Sequence, residues 1–135
     1  MILFENGIIK LEYDPATDIL VIDYPDLHGY QISEIKHSVD ILADNVRNYD
    51  VKKVLLDSTK TVVTVTPEES KEIAVYMARA LAKTRVKKLA RLESLNSTVK
   101  ARAKENIQHI QKAIALPFAL QNFTEKTDAL NWLQD

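Results

Sequence analysis

From residue 33 onward, strand-sized apolar runs alternate with helical stripes, and this alternation limits the chain to few architectures. Runs of five to seven residues, rich in Val, Ile and Leu, occur at Val51–Asp57, Val86–Leu92 and Phe118–Asn122. Before and between them, apolar residues recur at helical spacing: Ile35, Val39, Leu42 and Val46; then Ile73, Met77, Ala80 and Leu81; then Val99, Ala103, Ile107, Ile110 and Ile114. Strands alternating with helices imply parallel pairing through right-handed crossovers. The centre of the first run, Val54-Leu55-Leu56, is apolar without alternation, which suits a strand covered on both faces.

The first 24 residues read differently, as a β-meander. Ile2–Glu5 is followed by Asn6-Gly7, a tight-turn pair that tolerates positive φ. Ile8–Tyr13 places Ile9, Leu11 and Tyr13 on one face. Asp14-Pro15-Ala16-Thr17 is a second turn. In Asp18–Tyr24, Ile19, Val21 and Asp23 oppose Leu20, Ile22 and Tyr24. Pro25–Ile32 reads as a loop, and Ser33 as the N-cap of a helix reaching about Asn48. Thr66-Pro67-Glu68-Glu69 carries a capping box with Pro in the first turn. Asn96 or Ser97 opens the next helix and Pro117 stops it. Thr124 is expected to cap a last helix bearing Ala129, Trp132 and Leu133. The expected fold is therefore α/β: a mixed sheet of about five or six strands, an N-terminal β-meander followed by right-handed βα units, with helices packed on the sheet. No internal repeat, low-complexity segment or domain boundary divides the chain, so residues 1–135 are expected to form one domain.

Composition removes several classes of function. Hydrophobic residues at 46 % and charged residues at 27 % describe a globular chain rather than a disordered one. Cysteine is absent, which excludes disulfides, thiolate zinc sites and cysteine nucleophiles. The only glycines, Gly7 and Gly29, cannot build a P-loop or a dinucleotide fingerprint. No stretch approaches the ~18–20 apolar residues of a membrane span. The N-terminus meets a charge at Glu5, too early for a signal peptide, so a cytoplasmic location is expected. The net charge of −1 hides an asymmetry: residues 1–70 carry 6 Lys/Arg and 13 Asp/Glu, residues 71–135 carry 12 and 6. Two faces of one domain, or two subunits attracting each other as a homodimer, would both account for it.

Four groups of residues are candidates for function. The loop Ser58–Thr66 follows a parallel strand's C-terminal end, where α/β sheets place ligands. Its Ser58, Thr59, Thr61, Thr64 and Thr66, beside Val62, Val63 and Val65, would line a pocket or a partner contact. The competing reading is a short extra strand whose valines cover the core. The basic segment Lys83–Lys104 holds Lys83, Arg85, Lys87, Lys88, Arg91, Lys100, Arg102 and Lys104 against Glu93 alone. It suits phosphates or an acidic partner, although a strand and a helix need not present these charges on one face. No aromatic residue lies among them to stack on bases, and the pI of about 6.3 argues against nucleic acid. Asp23, Asp26 and His28, flanked by Tyr24 and Tyr30, have ligand chemistry but no second group at a metal-site spacing. Turn capping and surface roles explain them as well. His37 and His109 fall on helices with no nucleophile or orienting acid assigned to them by spacing.

Three stretches together resemble the SpoIIAA-like proteins, which share the fold of the STAS anti-sigma-factor antagonist domains. They are Asp18-Ile19-Leu20-Val21-Ile22-Asp23, Lys53-Val54-Leu55-Leu56-Asp57, and Phe123-Thr124-Glu125-Lys126-Thr127-Asp128-Ala129-Leu130-Asn131-Trp132-Leu133. The resemblance implies a βα superhelical domain that binds partners or small ligands, and it hands over no active site, cofactor or metal. STAS antagonists carry an Asp-Ser-Ser-Gly-type motif with a phosphorylated Ser at a helix start. This chain has Val62-Val63-Thr64-Val65-Thr66-Pro67-Glu68-Glu69 there, and Glu68 and Glu69 oppose a phosphate at that helix N-terminus. The reading favoured by the sequence is a non-enzymatic regulatory or binding domain, with a protein partner or a small ligand. The resemblance extends to the lipid-binding Sec14-type fold, which implies an apolar ligand beside Val62, Val65, Ile73, Tyr76 and Met77. The alternatives are a small enzyme using Asp57, Ser58 and a histidine at the strand C-termini, and an anion or nucleic-acid binder using Lys83–Lys104.

Overall fold

The computed structural model describes residues 1–6, 8–23, 32–59, 66–94 and 97–135. Six strands form one sheet in the order of the chain: β1 (Ile2–Glu5), β2 (Lys10–Asp14), β3 (Ile19–Asp23), β4 (Lys53–Asp57), β5 (Lys88–Leu92) and β6 (Ala119–Phe123). β1, β2 and β3 pair antiparallel, and β3 through β6 pair parallel. Helices α1 (Ile32–Asn48), α2 (Pro67–Ala82) and α3 (Ser97–Ala113) make the three crossovers, and α4 (Lys126–Gln134) follows β6. This is the α/β arrangement expected from the sequence, a meander followed by βα units, and it is consistent with a STAS-like fold.

The meander turns on Asn6, whose Oδ1 accepts the amides of Ile8 and Ile9, both at 2.8 Å. Gly7, the other half of the expected turn, lies outside the described residues, as does the loop of residues 24–31. Two helix starts differ from expectation. α1 begins at Ile32, so Ser33 is inside the helix rather than at its cap. At α4 the N-cap is Glu125, without a side-chain bond, and not Thr124. The capping box at α2 forms as the sequence demands: Thr66 Oγ1 accepts the Glu69 amide at 3.1 Å, and Glu69 Oε1 accepts the Thr66 amide at 3.1 Å. Thr66→Ala removes one of these bonds and is expected to cost about 1 kcal/mol. Urea unfolding would show this as a lower midpoint with an unchanged slope.

The period-two alternation of the strands sorts the core into two clusters. Ile9, Leu11, Tyr13, Leu20, Ile22, Val54, Leu56 and Leu89 face Val39, Leu42 and Val46 of α1 and Met77 and Leu81 of α2. Ile19, Leu55, Ala90 and Leu92 face the other way, against Ala129 and Leu133 of α4. The unbroken apolar run Val54-Leu55-Leu56 is thus buried on both sides. Among the described residues, no helix is long and apolar enough to cross a membrane.

Tyr13 ties this core to the turn before β3. It is 7 % exposed, and its hydroxyl donates to Asp18 Oδ1 at 2.8 Å. Asp18 sits at φ 57°, a left-handed conformation that aspartate tolerates better than most residues. Burial first, then the bond to Asp18, pushes the phenol's pKa from 10.0 up to about 12. The folded state therefore holds this proton more tightly than the unfolded chain. Its contribution to stability is complete below pH 10 and declines as pH rises toward 12. Denaturant midpoints at pH 9 and pH 11.5 should fall more for the wild type than for Tyr13→Phe.

Candidate polar cleft at the strand C-termini

The register of the parallel strands aligns Ile22, Leu56, Arg91 and Asn122 in one row across β3 to β6. All four point to the same side of the sheet, since side chains along a strand alternate and rows across it do not. Arg91 is only 9 % exposed, and its guanidinium donates to Asn122 Oδ1 at 2.9 Å. Beyond the strand ends, Ser58 follows β4 and Ser94 follows β5, and both are buried. Ser58 is fixed by β5: its amide and its hydroxyl both donate to the carbonyl of Leu92.

These residues meet the first turns of α3 around a cleft of about 250 Å³, lined by Ser58, Arg91, Glu93, Ser94, Lys100, Ala103, Lys104 and Asn122. Three cations face one carboxylate, so the lining is net positive. Glu93 pairs with Lys100 at 3.2 Å, with the lysine side chain still 57 % exposed. The buried Arg91, bonded to Asn122, and the two exposed lysines give this cleft a positive lining of the kind that suits an anionic group.

Beside the cleft, sharing Ser58, Arg91 and Ala103 with it, lies a second space of about 80 Å³ between α2, α3 and the sheet. Its walls are mostly apolar, with Met77, Leu81, Leu89, Ile110 and Phe118 all buried. Four buried polar residues also line it, Ser58, Ser70, Arg91 and Asn106, and Asn106 of α3 donates to Ser70 Oγ of α2 at 3.1 Å. A third space, a groove of about 400 Å³ between α1 and α2, has a mixed lining of Asp40, Asp44, Arg47, Arg79 and Lys83 around Tyr76.

The candidate residues from the sequence disperse. Within the loop Ser58–Thr66, Ser58 lines the cleft and the cavity. Thr59 closes a turn, its amide (3.0 Å) and hydroxyl (2.6 Å) both donating to Asp57 Oδ1. Thr66 caps α2. Thr61, Val62, Thr64 and Val65 lie outside the described residues, as do Tyr24, Asp26, His28 and Tyr30. Asp23 is exposed at the end of β3. Of the residues suggested for an apolar pocket, Met77 alone among Ile73, Tyr76 and Met77 lines the cavity. Ile73 is buried elsewhere in the core, and the Tyr76 hydroxyl donates to Asp40 at 2.6 Å across the α1–α2 groove. That bond, chiefly, raises the Tyr76 pKa above its ordinary value.

The basic segment does not form one surface. Lys83 and Arg85 lie in the connection before β5, where Arg85 pairs with Asp50 at 3.6 Å, and Lys87 is exposed beside them. Lys88 lies on the α4 side, donating to the carbonyls of Trp132 (3.0 Å) and Asp135 (2.7 Å). Arg91 faces the opposite side. Five of the grouped charges are thus split between two ends and two faces of β5, and only Arg91, with Lys100 and Lys104 of α3, reaches the cleft. Nor do Asp57 and Ser58 meet a described histidine: they bond Thr59 and Leu92, while His37 and His109 are exposed on α1 and α3. Among the described residues no cluster of acids and histidines could hold a metal ion.

Asn106 and Ser70 were hidden by hydrophobic reasoning, yet the sequence carried a signal for both. Asn106 stands three residues after Ala103 and four before Ile110, on the stripe itself, and Ser70 stands three before Ile73. A polar residue on an apolar stripe needs a buried partner.

No protein-family model matches the chain, and no curated protein does. A chain in the crystal structure of the diguanylate cyclase SiaD in complex with its activator SiaC, from Pseudomonas aeruginosa, is similar at 13 % identity and a TM-score of 0.41, over 91 % of this chain and 99 % of that one.

Proposed function

We propose that the chain is a non-enzymatic binding domain whose cleft at the C-terminal ends of β4, β5 and β6 receives an anionic group. The observation that carries this reading is the convergence of Arg91, Lys100 and Lys104 on one cleft beside Ser58, Ser94 and Asn122. A buried arginine set by strand register is a preorganised anion contact, and two exposed lysines add attraction without fixing geometry. Binding without turnover is favoured because the Ser58 hydroxyl is committed to a main-chain carbonyl and no described histidine lines the cleft. A regulatory role of the STAS-like kind would use this end of the sheet to sense the anion.

The test is calorimetric titration with inorganic phosphate at low ionic strength. Affinity should fall as salt rises. Lys104→Ala should weaken binding up to about five-fold, the scale of a single exposed charge. Phosphate affinity indifferent to both salt and Lys104 would remove the cleft from consideration.

A further inference from the structure

The polar cleft and the apolar cavity are neighbours: Ser58, Arg91 and Ala103 line both. Their linings are opposite in character. The cleft gathers charge and hydroxyls; the space beside it is walled mainly by residues such as Met77, Leu81, Leu89, Ile110 and Phe118, with Arg91 and Arg102 also in its lining. A purely polar anion would fill the cleft and leave an apolar space of about 80 Å³ beside it. That space has room for about two to three water-sized groups, and apolar walls favour hydrocarbon over water.

We propose that cleft and cavity form one site for a short amphiphilic anion, its charged head among Arg91, Lys100 and Lys104 and its hydrocarbon tail between α2 and α3. The proposal rests on the anion-binding reading above and goes beyond it by requiring the tail. The volume of the space suits a tail of a few carbons. The Asn106–Ser70 bond clasps α2 to α3 beside this space, so the tail enters between helices already held together.

Calorimetric titration with acetate, butyrate and hexanoate tests it. Each buried methylene is worth a factor of about four in affinity, so butyrate should bind about sixteen-fold more tightly than acetate, with the gain levelling off by hexanoate. Ala74 lines the cavity and not the cleft. Ala74→Leu should therefore bring butyrate down to the affinity of acetate and leave acetate itself unchanged. Ala78→Leu, one turn further along α2, repeats the test should the first variant melt early. Acetate binding with no dependence on chain length would overturn the amphiphile site and leave the anion cleft standing. A chain-length gain that survives both leucine variants would also overturn it, by placing the tail elsewhere. If none of the three binds, both the proposal and the reading beneath it fail.

Discussion

Leu133→Ala is expected to destabilise the protein by about 2–5 kcal/mol, a large share of the ~5–15 kcal/mol that holds a domain of this size together. Leu133 is fully buried, and with Ala129 it forms the apolar stripe by which the nine-residue α4 covers its face of the sheet. A helix this short is not stable by itself, so packing must hold it. The rest of the attachment cannot compensate. Trp132 stacks obliquely on Phe123 at 5.7 Å, and Lys88 lies 5.2 Å from the Trp132 ring centre while bonding the helix's last carbonyls. These contacts lie at the sheet margin, whereas Leu133 plugs the centre over Leu55 and Ala90. Denaturant unfolding should show the loss, and hydrogen exchange should show α4 amides becoming unprotected before those of α1. Lys88→Ala, which removes a partly exposed C-terminal cap, should cost only about 0.3–1 kcal/mol.

Arg91→Met is expected to weaken anion binding by about ten- to a hundred-fold, the worth of a hydrogen bond made by a charged donor. Methionine roughly keeps the volume and the apolar stem of the arginine and removes the charge and the donors. Lys104→Ala, at the solvated rim, should do far less, and the contrast between the two is the informative quantity. A thermal melt of Arg91→Met separates loss of the site from loss of the fold. Arg91→Lys should recover only part of the affinity, because a point charge lacks the planar fork that meets Asn122 and a ligand together.

The order of elements was legible because each segment carries one strong period. Ile35, Val39, Leu42 and Val46 are all buried, as their spacing requires, and Ile19 and Leu20 separate into the two clusters that alternation dictates. Helix starts were less legible. Ser33 and Thr124 have the right chemistry for caps, but hydroxyl residues are common near helix ends, and only the Thr66–Glu69 pair carried the reciprocal signal that makes a start specific. The site was partly legible. Ser58 and Arg91 stood among the candidates, but their neighbours in sequence do not share their surroundings. Alternation sends Lys88 to the α4 side and Arg91 to the α3 side, so the basic run in the sequence does not form one surface. What sequence spacing could not show is the cross-strand register, which sets Arg91 beside Asn122, thirty-one positions away. Once the register is known, a recurrence becomes visible: Leu56-Asp57-Ser58 ends β4 and Leu92-Glu93-Ser94 ends β5, each delivering a buried serine to the same end of the sheet.

The most direct test of the anion cleft is a backbone-amide NMR titration with inorganic phosphate at low ionic strength. The account predicts saturable shifts concentrated at Ser58, Glu93, Ser94, Lys100, Ala103 and Asn122, and their loss in Arg91→Met. Shifts centred on Lys83, Arg85 and Lys87, or on the groove around Tyr76, would contradict it, as would a spectrum that phosphate leaves unchanged.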